Sequence, residues 1–164
     1  MRNLSTLAWR VYDAPTKPWH GVVADTEGDD SVYVMRVERR DGVSQLTLAH
    51  ITPTGTEELA VLEVASAPPH VPDVADFRLL ADGGSSVNHM PAICVIGSGG
   101  DIVLMPVDEE ASAPAEVVGS VDQGILAAAW SPEEDVLVLI TGGEKRLIVM
   151  TREFEVMSET MLST

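Results

Sequence analysis

The sequence of 164 residues contains a single cysteine and no long hydrophobic run. Cys94 lies within the apolar stretch 92–96, and one thiol cannot form an internal disulfide bond, which is typical of a reducing compartment. No signal-like apolar stretch follows Arg2, and the longest apolar run, Ile125–Trp130, is too short to cross a bilayer. We therefore expect a soluble protein with no membrane partner, located in the cytoplasm, with the nucleus as a second location.

Aromatic and basic side chains are also scarce. Aromatic residues make up 4% of the chain, so the core must come mainly from the Val, Leu, Ile and Ala among its 45% hydrophobic residues, a composition that favours strands. Lys and Arg number 10 against 26 Asp and Glu, which gives a net charge of −16. Because nucleic acids are bound largely through cationic side chains, we expect no direct nucleic-acid binding. A basic protein partner is compatible with this charge.

Short apolar segments separated by Gly, Pro and acidic turns predict an all-β fold. The turn 39–42 contains Asp-Gly and is expected to join the first two strands, and the Pro-rich segment 67–72 is interpreted as a loop between strands. No segment shows convincing helical spacing of apolar residues. The predicted strands are Val32–Val37, Gln45–Ile51, Leu59–Val64, Val74–Leu80, Ala92–Ile96, Ile102–Val107, Glu116–Val121, Ile125–Trp130, Val136–Ile140, Leu147–Thr151 and Glu155–Met161.

A repeat distinguishes among the all-β architectures. Residues 96–105 align with residues 141–150, so that Gly97 corresponds to Gly142 at a separation of 45 residues. This separation matches the period of a four-stranded propeller blade. The sequence therefore predicts a WD40-type β-propeller fragment of about three blades, each a four-stranded antiparallel sheet. We expect residues 1–72 to form a first, irregular blade and residues 73–164 to form two blade-like units of the same domain.

The residues around Trp130 carry a resemblance to a known family. They read VGSV at 118–121, GILAAAWSPEE at 124–134, VLVLIT at 136–141 and LIVMTREFE at 147–155. This combination resembles the N-terminal propeller of the Elongator complex protein 1 (IKAP) family, and the start at residues 1–4 and the segment 92–105 are similar to it as well. In many WD40 blades the Trp packs between sheets and Ser-Pro begins a turn. The predicted blade signature is Trp130, Ser131, Pro132, Gly97 and Gly142.

The resemblance implies a non-catalytic scaffold. Members of the family are much longer and hold together the Elongator complex, which modifies wobble uridines of tRNA, while catalysis belongs to another subunit. The family's tRNA-contacting segments have no counterpart here, so no functional residue is carried over. The expected partners are other Elongator subunits, and no cofactor is expected. An unrelated WD40-like adaptor that binds a protein or peptide is the alternative function. An isolated arc of blades is also expected to self-associate or exchange strands.

The sequence gives little support for a metal site or for a catalytic nucleophile. The histidines are scattered, whereas structural zinc needs clustered ligands. Cys94 has apolar neighbours, so we interpret it as a buried side chain rather than a nucleophile. No metal site and no catalytic residue is predicted, and the chain is not expected to be an enzyme. The histidines are His20, His50, His70 and His89.

The remaining candidates are interpreted as turns and loops. The glycines of residues 97–100 are followed by Asp101 and a strand rather than by a Lys or a helix, so they predict a hairpin turn and not a phosphate loop. The acidic groups 29–30 and 108–110 lack the alternation of a calcium loop, and 133–135 is expected to be a turn of the blade. Trp9 and Trp19, near Pro15 and Pro18, are either partner anchors or packed against the first blade.

Overall fold

A computed structural model describes residues 19–26, 30–81, 91–107 and 114–163 of the chain. These residues form twelve strands arranged as three four-stranded antiparallel sheets, each connected in simple chain order. The expected all-β fragment of a β-propeller is thereby confirmed. The first sheet consists of β1 (Gly21–Ala24), β2 (Val32–Arg40), β3 (Val43–Thr52) and β4 (Gly55–Ala65); the second of β5 (Val74–Leu80), β6 (Ala92–Gly97), β7 (Asp101–Pro106) and β8 (Glu116–Ser120); the third of β9 (Ile125–Trp130), β10 (Val136–Thr141), β11 (Arg146–Thr151) and β12 (Val156–Met161).

The predicted strands are confirmed with small shifts at their ends, and one strand was missed. β1 is only 4 residues long, and its alternation of half-buried and exposed side chains is too brief to stand out in the sequence. The turn between β2 and β3 is tighter than expected, because Arg40 still pairs with Val43. Asp41 and Gly42 alone make the turn, with φ of 51° and 84°. Two positive φ values in a two-residue hairpin suit the right-handed twist of the strands.

The sheets are arranged radially from their first strands. β1 lies beside β5, and β5 lies beside β9, so that the first strand of each sheet contacts the first strand of the next. Such contact is typical of a propeller, where the innermost strands surround the axis and the later strands diverge from it. The described residues contain no helix that is long and apolar enough to cross a membrane.

Two apolar cores lie between the sheets. The first core joins the first and second sheets and includes Ile93 and Val95 of β6; the second core joins the second and third sheets and includes Cys94 and Ile96. Alternate side chains of one strand therefore enter different cores, as the two-residue period of a strand requires. β6 is buried along its whole length, which explains why its sequence is continuously apolar.

The predicted repeat corresponds to equivalent hairpins in separate sheets. Gly97 lies at the β6–β7 turn and Gly142 at the β10–β11 turn, which join the second and third strands of their sheets. The alignment needs one correction, however. Ile96 pairs with Ile102, whereas Ile140 pairs with Leu147, so the later turn is one residue longer. Ile96 is therefore structurally equivalent to Ile140, not to Thr141.

Candidate functional site

The turn after β9 contains the predicted Trp-Ser-Pro signature. The backbone N–H of Ser131 donates to the carbonyl oxygen of Val136 at 2.8 Å, which closes the hairpin between β9 and β10. The Ser131 hydroxyl oxygen accepts from the backbone N–H groups of Asp135 at 3.1 Å and Val136 at 3.0 Å. Pro132 follows Ser131, and its fixed φ suits the second position of the turn. These contacts give Ser131 and Pro132 a local structural role in fixing the turn.

Trp130 packs in the core between the second and third sheets. Its ring meets Phe154 edge-on at 6.0 Å between centroids. The indole Nε1 is buried and has no partner at hydrogen-bond distance in the described part of the chain. Burial raises the pKa of the Asp76 carboxyl, and the Trp130 indole is among the smaller influences that oppose this effect. Trp130 thus bridges the apolar core and a polar cluster beside it.

The polar cluster joins the second and third sheets. One Glu134 oxygen accepts from the backbone N–H of Ala81 at 3.0 Å, and the other accepts from Arg78 at 3.4 Å. Arg152 donates to the carbonyl oxygens of Ala81 at 2.8 Å and of Glu134 at 3.2 Å. Glu134 lies in the turn between β9 and β10 and has a φ of 59°. Glu134 and Arg152 lie in turns of the third sheet, and both therefore form hydrogen bonds to Ala81, directly after β5.

Burial controls the ionisable groups around this cluster. Desolvation raises the pKa of Asp76 above its ordinary value of 3.8, and Arg78 opposes this effect. Desolvation also raises the pKa of the Cys94 thiol to about 12, with the Asp76 carboxylate as the next cause. Because a nucleophilic cysteine needs a thiolate, the buried Cys94 is poorly suited to catalysis near neutral pH.

The glycine-rich β6–β7 turn contacts the segments that connect the sheets. The Ser98 N–H donates to the carbonyl oxygen of Asp73 at 2.9 Å, and the Ser98 carbonyl accepts from the Ile125 N–H at 3.0 Å. At Gly99, a Cβ atom would lie 2.0 Å from the Ala65 carbonyl oxygen, which leaves no space for a side chain. Gly100 has a φ of 116°, and its carbonyl oxygen accepts a hydrogen bond from the Val121 N–H at 2.8 Å. The glycines therefore permit close backbone packing.

Asp101 adds a side-chain bridge at the same turn. One of its carboxylate oxygens accepts from the Ala65 N–H at 2.7 Å, at the end of β4. The other accepts from the Ser120 hydroxyl at 2.7 Å, at the end of β8. A single carboxylate thus joins the last strands of the first and second sheets. From the sequence, Asp101 is interpreted only as a residue that disfavours phosphate binding. Its contacts with the ends of two strands cannot be read from a linear pattern.

The β10–β11 turn makes similar contacts. The Gly142 N–H donates to the Gly124 carbonyl at 3.2 Å, and a Cβ at Gly142 would lie 2.6 Å from the Gln123 carbonyl oxygen. The Gln123 side chain accepts from the Glu144 N–H at 2.7 Å. At the far end of the third sheet, the Leu162 N–H donates to the Lys145 carbonyl at 2.8 Å. In both sheets, therefore, the turn between the second and third strands is hydrogen-bonded to the segments directly before and after the sheet.

The histidines lie apart, in local interactions. His20 Nδ1 accepts from the Val37 N–H at 3.0 Å, and His50 Nε2 lies 3.1 Å from an Asp25 carboxylate oxygen. The same Asp25 oxygen accepts from the Ser31 hydroxyl at 2.9 Å. His70 is exposed in the Pro-rich loop, and His89 lies outside the described residues. Within the described ranges, no group of three or more His, Cys, Asp or Glu side chains could hold a metal ion.

The N-terminal and acidic candidates are described only in part. Trp19 lies under the guanidinium of Arg36, whose carbon is 4.6 Å from the ring centroid, so this tryptophan packs against the first sheet. Asp30 lies in a turn and has a φ of 62°. Several candidates lie outside the described residues: Trp9, Pro15, Pro18, Asp29 and the acidic group 108–110. The cluster of Arg78, Glu134 and Arg152 was not recognised in the sequence, because its members come from separate strands.

Comparison with known proteins identifies relatives of the whole chain. Residues 1–164 match the model of a protein family described as the ELP1 first N-terminal beta-propeller. Elongator complex protein 1 of Rattus norvegicus is 27% identical over 99% of this chain, and that of Schizosaccharomyces pombe is 47% identical over 44% of it. Elongator complex protein 1 of Saccharomyces cerevisiae is 36% identical over 37% of the chain. The aligned segments span 11%, 6% and 5% of these relatives' own lengths.

Proposed function

Because this chain belongs to the ELP1 first N-terminal β-propeller family, we propose that it is a non-catalytic scaffold segment of the large subunit of the Elongator complex. In this role it supports tRNA wobble-uridine modification through protein–protein assembly, with other Elongator subunits as its partners. The observation that carries the proposal is the family match over residues 1–164, on a chain whose three sheets are arranged as propeller blades.

The arrangement of polar groups supports a scaffold rather than a catalyst. Glu134, Arg152 and Asp101 are used to hold one sheet against another. Cys94 is buried with a raised pKa. We propose that the signature Trp130, Ser131, Pro132, Gly97 and Gly142 acts structurally, Trp130 in the core and the other four in turns of the sheets, and that the chain divides into a first blade at 1–72 and two further units at 73–164.

The charge supports assembly through proteins rather than through RNA. A net charge of −16 opposes contact with a phosphate backbone, so we propose that tRNA is bound elsewhere in the complex. The cytoplasm, with the nucleus as a second location, remains the proposed location. We also propose that the isolated chain self-associates, because among the described residues the apolar cores join only the first sheet to the second and the second to the third.

Affinity purification tests the scaffold role. The polypeptide that carries this chain is tagged in its own cells, recovered, and analysed by mass spectrometry for co-purifying subunits and for wobble-uridine modification of cellular tRNA. We expect Elongator subunits with the unaltered chain and with Gly119→Ala, which has ordinary contacts at 3.5 Å or more, and fewer with Gly99→Ala, which clashes with backbone. Recovery of no Elongator subunit with the unaltered chain would refute the proposal.

A further inference from the structure

Several hydroxyl side chains of this acidic chain are followed, three residues later, by a carboxylate. This spacing is the pattern that acidophilic protein kinases select, because the basic substrate site of such a kinase attracts the carboxylate. A hydroxyl must also be accessible to be modified, so the structure can distinguish among the residues that match. They are Thr26, Thr54, Ser98, Ser131 and Thr141.

Three of these hydroxyls are buried or already bonded. Ser98 is 3% exposed, and Thr141 is 0% exposed. The Ser131 hydroxyl accepts from two backbone N–H groups and donates to a neighbouring carboxylate, so its turn uses its full bonding capacity. The pattern at Thr26 runs through residues that lie outside the described ranges. Within the described part of the chain, Thr54 is therefore the matching residue that a kinase can reach.

Thr54 lies at the tip of the hairpin between β3 and β4. Thr52 pairs with Gly55, so Pro53 and Thr54 alone form the turn. All residues from 53 to 58 are exposed, including the carboxylate of Glu57. The Thr54 hydroxyl lies 2.9 Å from the Thr52 hydroxyl, in a contact that is open to solvent and can be exchanged for water. The acceptor atom is therefore accessible in the folded chain.

The start of β4 can separate from β3 without disturbing the core. β4 is the last strand of its sheet, so among the described strands it pairs with β3 alone. A register shift between Leu48 and Ala49 interrupts this pairing just beyond the tip. On β4, the first core begins at Leu59, after the exposed residues. Opening of residues 53–58 therefore breaks a few backbone pairs at one end of a ladder, as local fluctuations do.

We propose that Thr54 is a phosphorylation site, modified by an acidophilic serine/threonine kinase with ATP as the donor. Glu57 and Glu58 supply the carboxylates that such a kinase selects, and β4 contains no Lys or Arg that would oppose them. In the transfer, a bond forms between Thr54 Oγ1 and the γ-phosphorus of ATP. The bond from that phosphorus to the bridging oxygen breaks, ADP leaves, and the hydroxyl proton passes to the catalytic Asp of the kinase.

The modification changes surface charge rather than the fold. A phosphate adds a charge of about −1.5 to −2 near neutral pH, beside Glu57 and Glu58. The hydrogen bonds described above that join one sheet to another come from other turns, at Ser98, Asp101 and Glu134. We therefore expect the phosphorylated chain to keep the thermal midpoint of the unmodified chain within about 2 °C, since exposed substitutions usually have small effects.

Phosphorylation of the folded chain tests the site. The chain is incubated with a purified acidophilic kinase and magnesium ATP, and the phosphate is located by tandem mass spectrometry. We expect phosphate on Thr54, none at this position in Thr54→Val, and an initial rate reduced about tenfold or more in Glu57→Gln. Glu63→Gln is the matched control, because it removes the same charge from an exposed position of β4 outside the pattern, and it should leave the rate unchanged.

A synthetic peptide of residues 48–62 serves as the unfolded reference. Phosphorylation of the peptide but not of the folded chain would show that the hairpin protects Thr54, and would overturn the inference. Phosphorylation of neither would show that the pattern is not recognised, which overturns it equally. Phosphate on Thr56 in place of Thr54, or equal rates for Glu57→Gln and Glu63→Gln, would refute the assignment of the acceptor and of its selecting carboxylate.

Discussion

Replacing Gly99 with alanine should separate the first two sheets at a point where their backbones approach closely. A Cβ at this position would lie 2.0 Å from the Ala65 carbonyl oxygen, 2.5 Å from the Ala65 carbonyl carbon and 2.9 Å from the Ser66 carbonyl carbon. All three are backbone atoms, so no side-chain rotation can relieve the clash. The β6–β7 turn or the end of β4 must move by 1 Å or more, which also lengthens the nearby hydrogen bond from the Ala65 N–H to Asp101.

The magnitude follows from the cost of overpacking a rigid contact. Such substitutions usually cost about 1–3 kcal/mol, and a clash with backbone on several sides belongs at about 3 kcal/mol. In a chain of this size, that loss lowers the thermal midpoint by roughly 6–12 °C. Unfolding would be followed by circular dichroism and by urea titration, which give the midpoint and the free energy of unfolding separately.

Gly119→Ala is the matched control. Gly119 lies in β8, where an added Cβ would meet its nearest atom, of Ile102, at an ordinary 3.5 Å. Because alanine also loses less backbone entropy than glycine, this variant should be neutral or slightly more stable. If Gly99→Ala and Gly119→Ala had the same midpoint, the close approach of the turn to Ala65 would not contribute to the stability of the fold, and the inferred role of the glycine turn would be refuted.

Three further predictions concern the contacts between the second and third sheets. Glu134→Gln should cost about 1–2 kcal/mol of unfolding free energy in urea titrations, because it weakens the bonds to Arg78 and Ala81, whereas the exposed Glu133→Gln should change it little. Cys94, whose pKa is about 12 rather than 9.0, should react with a thiol reagent at pH 8 about a thousandfold more slowly in the folded than in the unfolded chain. Asp76 has a raised folded-state pKa, so its stabilising contribution is present below pH 3.8 and is lost as the pH rises through the folded pKa. Asp76→Asn should lack this loss, so its free energy of unfolding relative to that of the unaltered chain should increase with pH across that window. A difference that is constant with pH would contradict the last prediction.

The strands were largely predictable, because each buries alternate or continuous apolar side chains at a short, regular spacing. Val74–Leu80 and Ile125–Trp130 were predicted with the bounds that the structure shows. β1 was not predicted, since four residues give too little alternation to be distinguished from a loop. The hairpin repeat was found from its glycines, but its alignment was shifted by one residue, because a turn that is one residue longer does not disturb the similarity of the flanking strands.

The contacts between sheets could not be predicted in the same way. Glu134 and Ala81 are 53 residues apart, and Asp101 reaches Ala65 across 36 residues. Such pairs depend on how whole sheets are placed relative to one another. Neither Glu134 nor Asp101 belongs to a local pattern that distinguishes it from a solvated carboxylate. The sequence predicts a hairpin at the glycines of the β6–β7 turn. The requirement for glycine at position 99 arises from the backbone of Ala65 and Ser66, whose close approach is visible only in the structure.

An acidic chain of net charge −16 can still form ordered junctions between its sheets. Carboxylates that enter the contacts between sheets are each met by a donor: Asp76 by Arg78, Glu134 by Arg78 and Ala81, and Asp101 by Ala65 and Ser120. A partnered carboxylate at such a site adds direction to an apolar contact, because only one placement of the sheets satisfies it. The placement of the sheets is therefore fixed at the two junctions, one between the first and second sheets and one between the second and third.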